Sequence, residues 1–315
     1  MRILKQYFKQ LNQEEGNIFD VIWCSVRYGA SPNNYYEFGF KNLSPSQRAT
    51  YVTNRFSEKM IRKFNNPKYV DIFEDKTRFA ENFSEFFGRK WISTEQLTID
   101  KLQEFTDSIK GDRVIYKPVG NAQGQGIQIL DGIHDVKKLF EIINDLNESA
   151  IVEEWIQQHP DMSRIYPDAI NCLRIITAHS NGKTMFLAGG VTWGNGKQIA
   201  NASASGFVSP VDFETGILQK PGADFYGHVY KMHPLTGESI VGIKLPFWKE
   251  TIAMLEKAAA KIPQIGYVGW DVAITPDGPI IIEGNTTPGY KYYQIPIHMI
   301  DKCGNKNTYL KAFCM

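Results

Sequence analysis

The chain has 315 residues, 43% hydrophobic and 13% aromatic, which excludes a disordered chain and suits a large core spread over two or three lobes. Thirty-five Lys and Arg against 34 Asp and Glu leave a formal net charge of +1, and no basic run reads as a nucleic-acid or membrane-surface patch. The apolar runs fall far short of the roughly 20 residues of a membrane span, and the N-terminus (Met1 to Gln6) turns polar at once, so no integral membrane segment and no signal peptide are expected.

Residues 1–75 read as a mostly helical region. Ser44-Pro45 starts a helix, with Ser as N-cap and Pro at the first helical position, and the pattern continues to about residue 65. Residues 27–36 read as a loop. The second region, 76–155, mixes helices at 76–87, 99–109 and 135–146 with strands at 113–119, 127–130 and 151–154. In the third, 156–315, strands dominate at 171–179, 184–193, 207–212, 267–274 and 279–285, with one amphipathic helix at 247–261. Clustered strands with interspersed helices predict an α+β fold rather than a regular βαβ wheel. Cys24, Cys172, Cys303 and Cys314 lie far apart without a CxxC pair and read as free thiols of a reducing cytoplasm, Cys172 as a small buried hydrophobe. The six histidines form neither an HExxH motif nor a Cys/His cluster, so zinc is not expected.

Two segments carry chemistry. From Val114 to Ile129 a strand enters, Gly120, Gly124 and Gly126 punctuate a short loop, and a strand leaves, with Lys117 just upstream. Glycines let backbone N–H groups close on phosphate oxygens. A Walker loop or dinucleotide fingerprint would open a helix; this loop returns into a strand, so it is a hairpin flap or an ordinary glycine-rich turn. The second segment runs from Gly266 to Asn285. A three-residue turn centred on Asp277 pairs residues whose numbers sum to 554 and sets Asp271 opposite Glu283 on one face, Cβ atoms about 5 Å apart, with Asn285 on that face too. Val272, Ile274 and Ile280 to Ile282 surround them. Two carboxylates in an apolar setting call for a cation, and Mg²⁺ takes one or two carboxylates together with phosphate oxygens; a solvated acidic pair at a hairpin end is the plainer reading.

Lys117, the strand-flanked glycine loop and the Asp271, Glu283, Asn285 set stand in the order found in the ATP-grasp superfamily. The chain resembles the sugar-transfer-associated ATP-grasp family, akin to amino-acid ligases, through Val152 to Ile156 with Gln158-His159, Asn171 to Ile175, His233-Pro234, Gly269 to Asp271 and Ile282 to Asn285. The resemblance implies an ATP-grasp fold of two α+β lobes gripping ATP. Lys76 and Lys117 would contact the phosphates under the Gly120–Gly126 flap. The backbone of Glu153, Glu154, Trp155 and Ile156 would read adenine and Asp161 the ribose. Arg174 would stabilise charge on the transferred phosphoryl group, and Asp271, Glu283 and Asn285 would hold one or two Mg²⁺.

His233 and residues 201–206 are candidate borders of an acceptor pocket, with a plain loop the alternative. The implied activity is ADP-forming ligation of a small carboxylate to an amine, including sugar-linked acceptors of surface polysaccharide biosynthesis, in the cytoplasm. Two alternatives share the same ATP half: a small-molecule kinase and a non-catalytic nucleotide-binding protein. Two features depart from the better-known relatives. Residues 1–75 replace the α/β domain that begins many ATP-grasp ligases. Gly269 stands where D-alanine–D-alanine ligases carry an arginine two positions before the metal Asp, which argues against dipeptide formation of that kind.

Overall fold

The computed structural model describes residues 17–120, 126–197 and 206–313. Helices α1 (Ile18–Tyr28), α2 (Pro32–Glu37), α3 (Pro45–Arg48), α4 (Asn54–Phe64), α5 (Asp71–Glu74), α6 (Lys76–Asn82) and α7 (Ser84–Phe87) precede the first strand. Three differ from expectation, the first being the single helix expected over 76–87, which is α6 and α7 with Phe83 between them. Residues 27–36 are not all loop: Ser31 caps α2 and Pro32 opens it, the same Ser-Pro start signal as at Ser44-Pro45. The helix expected over 44–65 is two helices. Between them Val52 N–H donates to Gln294 Oε1 at 2.9 Å and Val52 C=O accepts from Gln294 Nε2 at 3.2 Å. Those bonds replace helical ones, so a partner 242 residues away breaks the helix.

A small antiparallel sheet follows, built from β1 (Trp91–Ser93), β2 (Arg113–Pro118), β3 (Gln128–Asp131) and β4 (Ala150–Glu154), in the order β1-β4-β2-β3. Helices α8 (Ile99–Ser108) and α9 (Val136–Leu146) cover one face. In α9 the Asp135 side chain caps Lys138 N–H, and the buried positions Val136, Leu139 and Ile143 follow helical spacing. They share a core with Leu102 and Phe105 of α8 and with Val114, Tyr116 and Val152 of the sheet.

After α10 (Pro160–Ile165) comes a seven-stranded antiparallel sheet. Its strands are β5 (Cys172–Ser180), β6 (Lys183–Trp193), β7 (Phe207–Pro210), β8 (Gly222–Ala223), β9 (Val229–Tyr230), β10 (Tyr267–Thr275) and β11 (Gly278–Asn285), in the order β11-β10-β5-β6-β7-β8-β9. Asn181 and Gly182, both at positive φ, make the tight turn between β5 and β6. The two faces of β10 serve two cores. Val268, Trp270, Val272 and Ile274 pack with Phe73, Phe79 and Phe83 and with Leu255 and Ala258 of α11 (Trp248–Lys261). Tyr267, on the other face, packs with Tyr35, Phe38, Tyr51 and Met60 of the N-terminal helices and Tyr309 of α12 (Lys306–Ala312). The N-terminal helices are therefore the second layer of the large sheet.

The β10–β11 hairpin reaches its expected pairing by another route. Thr275 pairs Gly278, so the turn has two residues, Pro276 and Asp277, where three were expected. That register alone would set Asp271 opposite Ile282. A β-bulge between Asp271 and Val272 leaves Ile282 unpaired and restores Asp271 to Glu283.

At Gly190, opposite Arg174 in the same sheet, an added Cβ would meet the Ser209 carbonyl oxygen at 2.3 Å and Pro210 Cα at 2.9 Å, both backbone. Gly190→Ala is expected to destabilise the fold by about 1–3 kcal/mol, read by urea unfolding. An unchanged midpoint would show that β7 is free to move away.

Candidate active site

Three neighbouring strands line up three charges. Arg174 of β5 is the cross-strand partner of Asp271 of β10, which is the partner of Glu283 of β11. Counting by twos from Tyr267 puts Asp271 on the face that the N-terminal helices cover. The Arg174 guanidinium grips Asp271 twice, Nε to Oδ1 at 2.6 Å and Nη2 to Oδ2 at 2.5 Å. This pair explains how a charge sits in an apolar strand: Asp271 holds Arg174 charged well above its ordinary range. Glu283 is less well served. It is exposed to solvent, yet the protein packed around it and the Asp271 charge push its carboxyl up to about 7. Asn285, opposite Gly269, accepts from Thr287 N–H at 2.9 Å and Thr287 Oγ1 at 3.0 Å. A Cβ on Gly269 would lie 3.2 Å from Pro288 Cβ, so the arginine of D-alanine–D-alanine ligases has no room here without moving Pro288.

The small sheet brings cations to the same place. Lys117 Nζ, at the end of β2, donates to Glu153 Oε2 of β4 at 2.8 Å. The same oxygen accepts from Arg89 Nε at 2.6 Å. Burial pushes Glu153 up, but Arg89 and Lys117 together bring it below its ordinary value, so it stays ionised. Burial lowers Lys117, against the pull of Glu153, and lowers Lys76, against the pull of Glu283. Lys76, in the first turn of α6 after its N-cap Asp75, donates to the backbone oxygen of Pro118, the last residue of β2, at 2.8 Å. Lys117 and Arg174 both draw Glu283 downward. Lys76, Lys117, Arg174, Asp271 and Glu283 thus form one electrostatic cluster between the two sheets.

Arg89 was not singled out in the sequence. It is 8% exposed and spans the two sheets: besides Glu153 it donates to Phe87 O and Ile281 O at 2.9 Å and to Ile282 O at 3.2 Å, at the bulge that sets Glu283. The signal available was an arginine between Phe86-Phe87-Gly88 and Trp91. Gly88 brings it there: its φ is +60, and a Cβ would lie 2.1 Å from Ile280 Cγ2.

The other candidate residues sit as follows. Glu153 lies mid-sheet, with Trp91 on one side and Ile115 on the other. Its side chain, which the sequence left without a role, carries Lys117. Glu154 ends β4, its carboxylate accepting from Lys90 N–H and Lys110 N–H. Trp155 and Ile156 follow the strand, half-buried, with Arg113 over the Trp155 ring at 5.3 Å. Asp161 is exposed in the first turn of α10, 3.7 Å from His159 Nδ1. Gly120 closes β2 with open space where a Cβ would stand, and Gly126 turns back toward β3 at φ +73. Gly124, Cys314 and residues 201–205 lie outside the described residues. His233 is a buried structural residue: Nε2 meets Gly194 O at 2.7 Å, Nδ1 accepts from Leu235 N–H, and the ring stacks on Tyr166. Cys24, Cys172 and Cys303 are free thiols.

Among the described residues no group of three or more His, Cys, Asp and Glu side chains is gathered to hold a metal. Asp271 and Glu283 nevertheless fit a hard divalent cation. They are adjacent carboxylates, of which Asp271 is gripped by the Arg174 guanidinium on its other side, and the Asn285 amide adds a neutral oxygen. Among the described residues no helix is long and apolar enough to cross a membrane.

A family model described as sugar-transfer associated ATP-grasp matches residues 55–299. No curated protein matches the chain. Among solved structures, the ADP complex of PurK, an N5-carboxyaminoimidazole ribonucleotide synthetase, superposes with a TM-score of 0.50 at 12% identity, over 82% of this chain and 57% of that one. The ATP-grasp ligase PsnB, complexed with minimal precursor, gives 0.47 at 11% identity over 85% and 71%. An L-amino acid ligase from Bacillus licheniformis gives 0.43 at 14% over 71% and 43%. The chain spans little more than half the length of the PurK structure, and at 12% identity the likeness is one of fold.

Proposed function

Since the chain belongs to the sugar-transfer associated ATP-grasp family, we propose that it is an ATP-dependent carboxylate–amine ligase that works through an acyl phosphate. The observation that carries the proposal is that Lys76 and Lys117 lie close enough to the Arg174–Asp271–Glu283 row to interact electrostatically with Glu283. Mg²⁺, held by Asp271, Glu283 and Asn285, would screen the β- and γ-phosphates of ATP. Lys117, oriented by Glu153, and Lys76 bind phosphate oxygens. A substrate carboxylate oxygen attacks the γ-phosphorus, the bond to the bridging oxygen breaks, and ADP leaves. Arg174, held rigid by Asp271, stabilises the negative charge spread over the transferred group. The amine nitrogen then attacks the acyl carbon, the acyl C–O bond breaks, and phosphate leaves while the amine loses a proton. Trp155 and Ile156 border adenine, and Asp161 meets the ribose. The family's description names an association with sugar transfer, and on that ground we extend the proposal to an amino sugar or amino acid acceptor in surface polysaccharide biosynthesis, carried out in the cytoplasm.

The test uses Mg-ATP, hydroxylamine and pooled carboxylates. Hydroxylamine traps an acyl phosphate as a hydroxamate whatever the natural amine. Hydroxamate and ADP in equal amounts are expected; ADP with a stable phosphorylated product instead of hydroxamate would make the protein a kinase, and AMP with pyrophosphate would reject the acyl phosphate. Lys117→Ala is expected to lower kcat/KM by about 10²-fold or more with the helical circular dichroism unchanged. A near-normal rate would remove Lys117 from the site.

A further inference from the structure

Beyond Asn285 the chain turns through Thr287 and Pro288 and lines a cavity of about 350 Å³ that the steps above do not use, near the lower end of the ~300–1,000 Å³ range of small-molecule pockets. Ile61 of α4, Pro288, Phe225 and Tyr292 give it apolar walls, with Ser57 and Thr287 among its few hydroxyls. Phe225 and Tyr292 stack at 3.8 Å between centroids and 25° between planes, which makes a flat wall. Asn54, Glu58 and Lys291 also line it, and its two charges are paired: Lys291 with Glu37 at 3.1 Å and Glu58, at the exposed rim, with Arg62 at 3.6 Å. Thr287 belongs to both places, because its N–H and hydroxyl hold Asn285 Oδ1 while its side lines the cavity.

We propose that this cavity receives the apolar, ring-sized end of the carboxylate substrate, with the carboxylate directed past Thr287 toward Asn285; the proposal rests on the ligase reading. A hydroxyl-covered ring would find partners only on the Asn54, Ser57 and Thr287 side and would bury its remaining donors and acceptors against Ile61, Pro288 and Phe225. An aryl or branched alkyl group loses nothing there, and its charged end leaves toward the cations of the reaction centre. Helix α4 thereby supplies one wall of the substrate site, and the N-terminal region takes part in selecting the substrate.

The test measures binding by titration calorimetry, with the full chain loaded with Mg²⁺ and a non-hydrolysable ATP analogue. The probes are 3-phenylpropionate, acetate and glucuronate. Wild type is expected to bind 3-phenylpropionate at least 30-fold more tightly than acetate or glucuronate. Ile61→Trp, which fills the cavity, is expected to remove that preference and leave acetate binding unchanged. Gly289→Phe blocks the same space from the exposed turn, where a Cβ meets nothing within 4 Å, so it serves if the first variant folds poorly. Equal affinities for the three probes, no measurable binding of any, a uniform loss in both variants, or tightest binding of glucuronate would each overturn the proposal. Binding with the expected preference but no hydroxamate would reject the ligase reading and keep the pocket. Hydroxamate formed from all carboxylates alike, with the variants unaffected, would do the reverse.

Discussion

Glu283→Gln is expected to lower turnover by at least about 10²-fold and, in metal-free buffer, to raise the melting temperature. The activity loss follows from removing one of two carboxylates proposed to hold the cation that screens the ATP phosphates. The stability gain follows from the raised pKa. Burial and Asp271 push the Glu283 carboxyl from 4.5 to about 7 in the folded protein. A carboxyl with a raised folded pKa holds its proton more tightly folded than unfolded. Its ionisation therefore weakens the fold progressively from about pH 4.5 to 7, and the full penalty is present above that. The neutral amide carries no such penalty, so the gain should be present at about pH 8 and absent at about pH 4. Melting curves of both proteins across that range, with ADP release at saturating Mg-ATP, check both parts. Near-normal turnover would remove Glu283 from the metal set, and a gain that ignores pH would show a packing effect instead.

Arg89→Met should be among the most destabilising single changes in the chain, at about 3–5 kcal/mol by urea unfolding. Arg89 is buried and neutralises Glu153 jointly with Lys117. Its other nitrogens satisfy Phe87, Ile281 and Ile282 carbonyls. Methionine removes the charge and all four hydrogen bonds while roughly keeping the volume, so Glu153 stays buried with half its compensation. The control is Arg89→Met with Glu153→Met, which removes both charges and should recover part of the loss, because apolar replacement of a whole buried pair is often close to neutral. A single variant within about 0.5 kcal/mol of wild type, the range of ordinary surface changes, would show that the Arg89 bridge carries no stability.

Much of this was legible because the signals are local. The strand–glycine–strand texture around Lys117, the turn residues Pro276 to Gly278 and the apolar run along 267–274 depend on a few consecutive residues, and the strands formed where those patterns run. Helices with an N-cap and a clear apolar stripe, such as α9, ended within a residue of expectation. The split at Thr50 to Thr53 was not legible, because Gln294 causes it from the far end of the chain. Arg89 was missed for a similar reason: an arginine has no period, and its partners lie on α7, β4 and β11.

By itself the sequence determined the element types, the α+β class, and which residue types stand beside the glycine flap and the acidic hairpin, since propensity, turn chemistry and alternation act over a few residues. The tertiary structure decided what those residues do to one another. It placed Arg174 on Asp271 through strand order, brought Glu153 under Lys117 from the opposite strand, and let a bulge rather than a longer turn set Asp271 against Glu283. The physical reason is range: hydrogen bonds and ion pairs depend on distance in space, and neither the order of strands nor the position of a bulge is written in the spacing of neighbouring residues.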